Sequence, residues 1–328
     1  MSNEPPEARP GQAGPGKRVL NWLRLALGAG LLAILVVIVP LPEIMSALRQ
    51  ASPWWIVAAG VVWASVIPLE AGRLVVVFRA WGLQFVAGVK IFLAGSFFAN
   101  FVPGSIGLDV YQVAALRRFR VSLLAAAGLT LLLRLVGLAT NVVLAAVVLA
   151  LQPAIAARLL AALDATAAEL VAPGWRSLTA IVLAVLVAIA ALFLSVRKNA
   201  AALFARVGDW LRRLQMRDVA GVFVLSILII LGRAISQVML VAALGQDLSL
   251  EMSLLATTAS VVAASIPISF AGLGVREAAA GGMLVLAGVD PVVAVATALL
   301  QRGFIWLISL AGWISLFLGR EGDTHGSM

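Results

Sequence analysis

The chain has 328 residues, 62% of them hydrophobic and only 12% charged, with a net charge of +9 and a mean hydropathy of +1.08. Soluble domains carry about 25% charged and about 45–50% apolar residues, so a soluble fold is excluded, and no nucleic-acid partner is expected from the basic balance alone. With no cysteine and a single histidine, His325 in a polar tail, disulfides, thiolate or histidine metal sites, a cysteine nucleophile and a Ser/His/Asp triad are not expected.

Residues 1–18 are rich in Pro, Gly and Glu and read as a disordered tail. Lys17 and Arg18 precede an apolar run from Val19 to Val39. No clean small-residue cleavage site follows it, so it reads as a retained first span rather than a signal peptide. Five further runs, at about 54–78, 122–150, 177–196, 219–243 and 292–318, are long enough to cross about 30 Å of hydrocarbon as helices.

Two other apolar stretches, 86–116 and 252–288, are interrupted: Asn-Phe-Val-Pro-Gly-Ser-Ile-Gly at 100–107, and Ser-Ile-Pro-Ile-Ser-Phe-Ala-Gly-Leu-Gly at 265–274. Pro103, Gly104 and Gly107 break the first; Pro267, Gly272 and Gly274 break the second. Proline removes a helix hydrogen bond and glycine admits non-helical backbone. Such breaks are tolerated at membrane depth only under cover of protein or a water-filled cavity, so both stretches are expected as re-entrant hairpins, although a pair of full spans would leave their end points on the same sides. The fold class is an all-α polytopic membrane protein. About six full spans plus two broken hairpins form one domain over 19–318, and 319–328 form a polar tail.

Charge orients this plan. With both termini cytoplasmic, that face carries Arg79, Lys90, Arg117, Arg118, Arg120 and the arginines of 197–217, whereas the outer face carries only Arg49, Arg158 and Arg176. That is the positive-inside asymmetry. Residues 199–217 read as a cytoplasmic amphipathic helix on anionic lipid, and 154–171 as a weaker outer stripe.

The plan repeats. Arg73 lies 30 residues before Pro103 and Arg134 31 after it; Arg233 lies 34 before Pro267 and Arg302 35 after it. Halves of about 19–150 and 177–318 thus share one order, a span with Arg, a broken hairpin and a span with Arg, and run oppositely across the membrane. Inverted repeats with interrupted helices are a recurring transporter plan.

Five arginines fall at membrane depth, Arg73, Arg134, Arg233, Arg276 and Arg302, against three acids, Glu70, Asp109 and Glu277. Each mid-bilayer arginine costs about 2.5–3.5 kcal/mol even on insertion scales. The two surplus positive charges point to an anionic ligand, and the guanidinium fork suits phosphate. Arg73 sits near enough to its span's end to snorkel. Glu70 is three residues from Arg73 and is expected to pair with it or with Arg134. Half-helices returning from the breaks are expected to start near Leu108–Asp109 and Val275–Arg276. There Asp109 and Glu277 serve either as caps or to orient an arginine or take a proton. Tyr111, Asn100 and Ser105 are further polar options for a headgroup or an interface.

These residues carry a resemblance. The stretch 100–110 with the following Ala-Leu-Arg-Arg and Leu-Leu-Leu-Arg-Leu-Val-Gly, and 265–277 with the later Leu-Leu-Gln-Arg, are similar to a flippase-like membrane family named for the transmembrane region of lysylphosphatidylglycerol synthases. The resemblance runs over about 20–318 and departs at Tyr111, where members often have arginine. It implies lipid translocation in a bacterial inner membrane; the longest hydrophilic segment after residue 50, at 197–218, is too short for a soluble aminoacyl-transferring domain, so aminoacyl transfer is not expected of this chain alone. The leading expectation is a flippase or transporter for an anionic phospholipid or polyprenyl-phosphate-linked lipid, with the phosphate held by Arg134, Arg276 and Arg302, and with no enzymatic activity, cofactor or metal. Two alternatives stand beside it: a membrane partner of a separately encoded lipid-modifying or glycosyl-transferring enzyme, and an intramembrane lipid transferase using Asp109 and Glu277. A homodimer is compatible with the sequence, but no small-xxx-small face marks one.

Overall fold

The computed structural model describes residues 41–100, 106–158, 161, 215–265 and 273–318, and within them every element is helical. The expected first span at 19–39, the span at 177–196, both terminal tails, most of the stripes at 154–171 and 199–217, Ser105, and the breaks Pro103, Gly104, Pro267 and Gly272 lie outside the described residues.

The helices run in order α1 (Leu41–Gln50), α2 (Pro53–Ala64), α3 (Val66–Phe78), α4 (Phe85–Ala99), α5 (Ile106–Leu116), α6 (Leu123–Leu151), α7 (Met216–Ala243), α8 (Leu250–Ser265), α9 (Val275–Leu286) and α10 (Pro291–Leu318). Among the described residues four segments are long and apolar enough to cross a membrane: α2 with α3, α6, α7 and α10. Their outward faces are apolar, with Leu131, Leu135, Val142 and Val147 exposed on α6 and Trp306, Leu307, Leu310 and Trp313 on α10, as lipid contact requires. The chain is therefore an all-α polytopic membrane protein.

Local chemistry sets the boundaries. Pro68 lacks the N–H that would bond the Ala64 carbonyl, and the α2–α3 span is interrupted at Ser65, whose hydroxyl turns back to the Val62 carbonyl at 2.7 Å. Ser122 caps α6 by accepting from the Ala125 amide. The Asp218 carboxylate accepts from the Gln215 amide at 3.0 Å and so caps α7. This cap starts α7 at Met216, inside the stretch expected as a surface helix. Similarly α5 begins at Ile106, earlier than expected, because Gly107 is already helical there.

The interrupted stretches are two antiparallel helix pairs, α4 with α5 and α8 with α9, of 15, 11, 16 and 12 residues. A helix needs about 20 residues to cross the hydrocarbon, so no member of either pair is long enough alone. One buried cluster joins Leu74, Val77 and Phe78 at the end of α3, Ile91 in α4, Leu116 at the end of α5 and Ala125 near the start of α6. The first pair thus opens at that end. A second cluster joins Val241 of α7, Ala256 of α8, Leu284 of α9 and Val293 of α10, where the second pair opens. Two contacts relate the ends. Arg79, just after α3, forms an ion pair with Asp218 at the start of α7 at 2.8 Å, and the Ser52 amide, before α2, donates to the Ala243 carbonyl at the end of α7 at 2.8 Å. α7 therefore runs antiparallel to α2–α3, and the two pairs open at opposite ends of the molecule.

Lipid tails are as apolar as leucine, so packing and interhelical hydrogen bonds hold the helices together. At Gly312 of α10 an added Cβ would run into the Leu93 carbonyl of α4, and at Gly107 of α5 into the Phe98 carbonyl. Ser236 donates to the Ala59 carbonyl, and Ser253 to the Ala234 carbonyl and Gln237 Oε1, all at 2.8 Å.

Candidate functional site

The two hairpins bring charge to the middle of the bundle. Glu70 of α3 holds two guanidiniums: Arg73, one turn along, and Arg233 of α7, both at 2.9 Å. Arg73 Nη1 also lies 3.3 Å from the Ser226 hydroxyl. Arg73 is thus drawn inward and does not snorkel, because Glu70 and Ser226 replace water around its head; Gly137 leaves the room it occupies. Glu70 takes Arg233 as its second partner, not Arg134.

Asp109, in the first turn of α5, binds Arg134 of α6 at 2.5 Å with both side chains partly exposed. In the other half Glu277, in the first turn of α9, binds Arg302 of α10, and this pair is 3% and 4% exposed. Glu277 Oε1 accepts from Arg302 Nε at 2.6 Å, while Oε2 accepts from the Gly274 amide at 2.7 Å. Gly274 has φ +76, a conformation that favours glycine and turns its N–H towards the carboxylate. Both acids therefore hold the arginine 25 residues further on, and Arg134 and Arg302 stand in ion pairs instead of presenting bare guanidiniums.

Arg276 differs. It follows Gly274 by two residues, makes no ion pair within 4 Å among the described residues, and its buried Nε has no hydrogen-bond partner there. Aligning Asp109 with Glu277 puts Leu108 at the place of Arg276, and both residues line the same two cavities.

The first cavity, about 190 Å³, lies between α3, α4, α7, α8, α9 and α10. Glu70, Arg233, Arg276, Glu277 and Arg302 form its charged wall, and Trp63, Val66, Ile67, Phe92, Ile305 and Ile308 its apolar one. The second, also about 190 Å³, carries Arg73, Asp109, Thr130, Arg134, Asn141, Ser226 and, again, Glu70, Arg233 and Arg276. Of the remaining expected site residues, Asn100 lines the first cavity, but its amide is committed to the Ser309 hydroxyl at 2.6 Å and the Ser96 carbonyl at 3.3 Å. Tyr111 stacks on Phe98 with ring centroids 5.0 Å apart, outside both linings. Thr130, Asn141, Ser226 and Gln237 are lining residues that the charge count misses; their signal is polarity inside otherwise apolar spans. Among the described residues no group of His, Cys, Asp and Glu has the makings of a metal site.

Residues 21–312 match the family described as the lysylphosphatidylglycerol synthase TM region, and the chain belongs to that family. No curated protein matches it.

Proposed function

We propose that this membrane protein, as a member of the lysylphosphatidylglycerol synthase TM-region family, binds an anionic lipid headgroup at Arg276 and passes it across the membrane. The carrying observation is that Arg276, alone of the five intramembrane arginines, has neither an acid within ion-pair distance nor a partner for its buried Nε among the described residues, and it sits where the two cavities meet. A guanidinium held in low dielectric is costly without a counter-charge, and a phosphate supplies one with matching fork geometry. The apolar wall of the first cavity would take the adjoining acyl carbons.

We read α4–α5 as a re-entrant hairpin opening to the cytoplasm, and α8–α9 as its inverted counterpart opening outward. The termini would be cytoplasmic and the membrane the bacterial inner one. The two halves would then rock about the central charges so that the site faces each leaflet in turn. Transport is favoured over catalysis because each of the three central acids already holds a guanidinium. Reconstitution into liposomes carrying a fluorescent anionic phospholipid tests this. Wild-type protein should expose the inner-leaflet probe to a membrane-impermeant quencher, and Arg276→Gln should not. Equal rates in both would overturn the role of Arg276.

A further inference from the structure

Away from the charged centre, α10 carries a groove of about 530 Å³ on its outward face. Leu48 of α1 stands beside Leu299 at one end, and Gly303, Trp306, Leu307 and Leu310 continue the lining at helical spacing. The described lining is wholly apolar. Trp306, Leu307 and Leu310 are 57%, 64% and 52% exposed. At Gly303 an added Cβ would meet nothing within 4 Å, so the groove has room there for another backbone to come close.

α1 ties this groove to the chain before it. Ile44, 1% exposed, shares a buried cluster with Val295 and Ala296 near the start of α10, and Leu48 and Leu299 pack on the same cluster. α1 begins at Leu41, and only Pro40 separates it from the apolar run Val19–Val39. Proline disfavours helical backbone at the residue before it, so the run is free to turn there instead of continuing α1. As a helix, the run would reach about 31 Å, which matches the hydrocarbon thickness. Its tether is one residue long and is anchored where the groove begins. Its effective concentration at the groove therefore exceeds that of a free lipid or a second copy. Close packing is what joins helices in lipid, and the groove offers it.

We propose that the run Val19–Val39 crosses the membrane in this groove, antiparallel to α10. With Val39 level with Pro291, counting along both helices puts Leu27 at about the depth of Gly303 and Leu23 at about that of Leu307. The outward face of α10 is then covered by the chain's own first span.

The full chain has no cysteine, so paired cysteines in nanodiscs report the contact directly. One cysteine is fixed as Gly303→Cys, and in a second series as Leu307→Cys. The other moves one residue at a time from Leu20 to Leu31. A short bifunctional thiosulfonate bridges the pairs, and non-reducing gels with peptide mass spectrometry read the product. Ser96→Cys with Ser309→Cys is the positive control, because the Ser309 hydroxyl already lies 3.1 Å from the Ser96 carbonyl. Variants are first checked for an unchanged melting temperature. Bridges are expected within the monomer band, at positions three or four residues apart and centred near Leu27 for the Gly303 series. The Leu307 series should shift that pattern one turn towards Leu23. A shift towards Leu31 would overturn the antiparallel arrangement. Bridges found only in a dimer band would overturn the proposal and give the groove to a second copy. No bridge at any position, while the control pair closes, would overturn it and leave the groove to lipid.

Discussion

Glu277 joins two elements through its two oxygens: one accepts from the Gly274 amide at 2.7 Å, the other from Arg302 Nε at 2.6 Å. The carboxylate therefore fixes both the start of α9 and the position of α9 against α10. Arg276, one residue earlier on that turn, is held in place by this neighbour without being neutralised by an ion pair of its own.

Removing one partner of a buried ion pair strands the other, at a cost of about 3–5 kcal/mol. Glu277→Gln or Arg302→Met should each lower the melting temperature in detergent strongly. The Glu277→Leu, Arg302→Met double variant should be more stable than either single one, because no uncompensated charge remains. A double variant as unstable as the sum of the singles would show that the pair is not the unit.

The Asp109–Arg134 pair is partly exposed, at 26% and 29%, so its loss should cost less stability than loss of the Glu277 pair. Asp109→Asn also removes one negative charge from the wall of the second cavity. Retention of anionic lipid is expected to rise by about an order of magnitude, measured by lipid titration in nanodiscs. A fall would assign Asp109 a direct part in binding.

At Arg276 charge and fork are separable. Arg276→Lys keeps the charge and loses the bidentate geometry. Its transport rate should fall between those of wild type and Arg276→Gln, with Gln at least about tenfold below wild type. Lys equal to Gln would mean that geometry, not charge, sets the rate.

Close helix packing makes a contrasting pair of glycines. Gly312→Val would drive a side chain into the Leu93 carbonyl and should cost about 1–3 kcal/mol. Gly282→Ala meets nothing within 4 Å and should be neutral, or stabilising by about 0.5–1 kcal/mol from helix propensity. Thermal unfolding of both variants measures the difference.

The chain contains no cysteine, which suits single-cysteine labelling. Gln84→Cys and Arg120→Cys, both at exposed positions at the open end of the first hairpin, should react with an impermeant maleimide only from the cytoplasmic side. Asp247→Cys and Asp290→Cys, at the open end of the second, should react only from outside. All four reacting from one side would refute the opposed orientation of the halves.

By itself the sequence determined the class, most helix limits and the special places. Apolar runs as long as a bilayer is thick read as spans, and clustered Pro and Gly inside such runs read as interruptions. Five arginines against three acids likewise specify a central excess of charge wherever the side chains go. Only the tertiary structure decided the pairings. Glu70 takes Arg73 and Arg233 because α7 packs antiparallel beside α3, a contact between residues 163 apart that no local periodicity encodes. The same packing consumes Arg302 in a buried pair with Glu277, leaves Arg276 open, and turns Thr130 and Asn141, inconspicuous in an apolar helix, into cavity walls. Spacing along one helix fixes which residues share a face, but which face meets which is settled by close approach at residues such as Gly312 and by the pairing of Glu70, Asp109 and Glu277 with arginines of neighbouring helices.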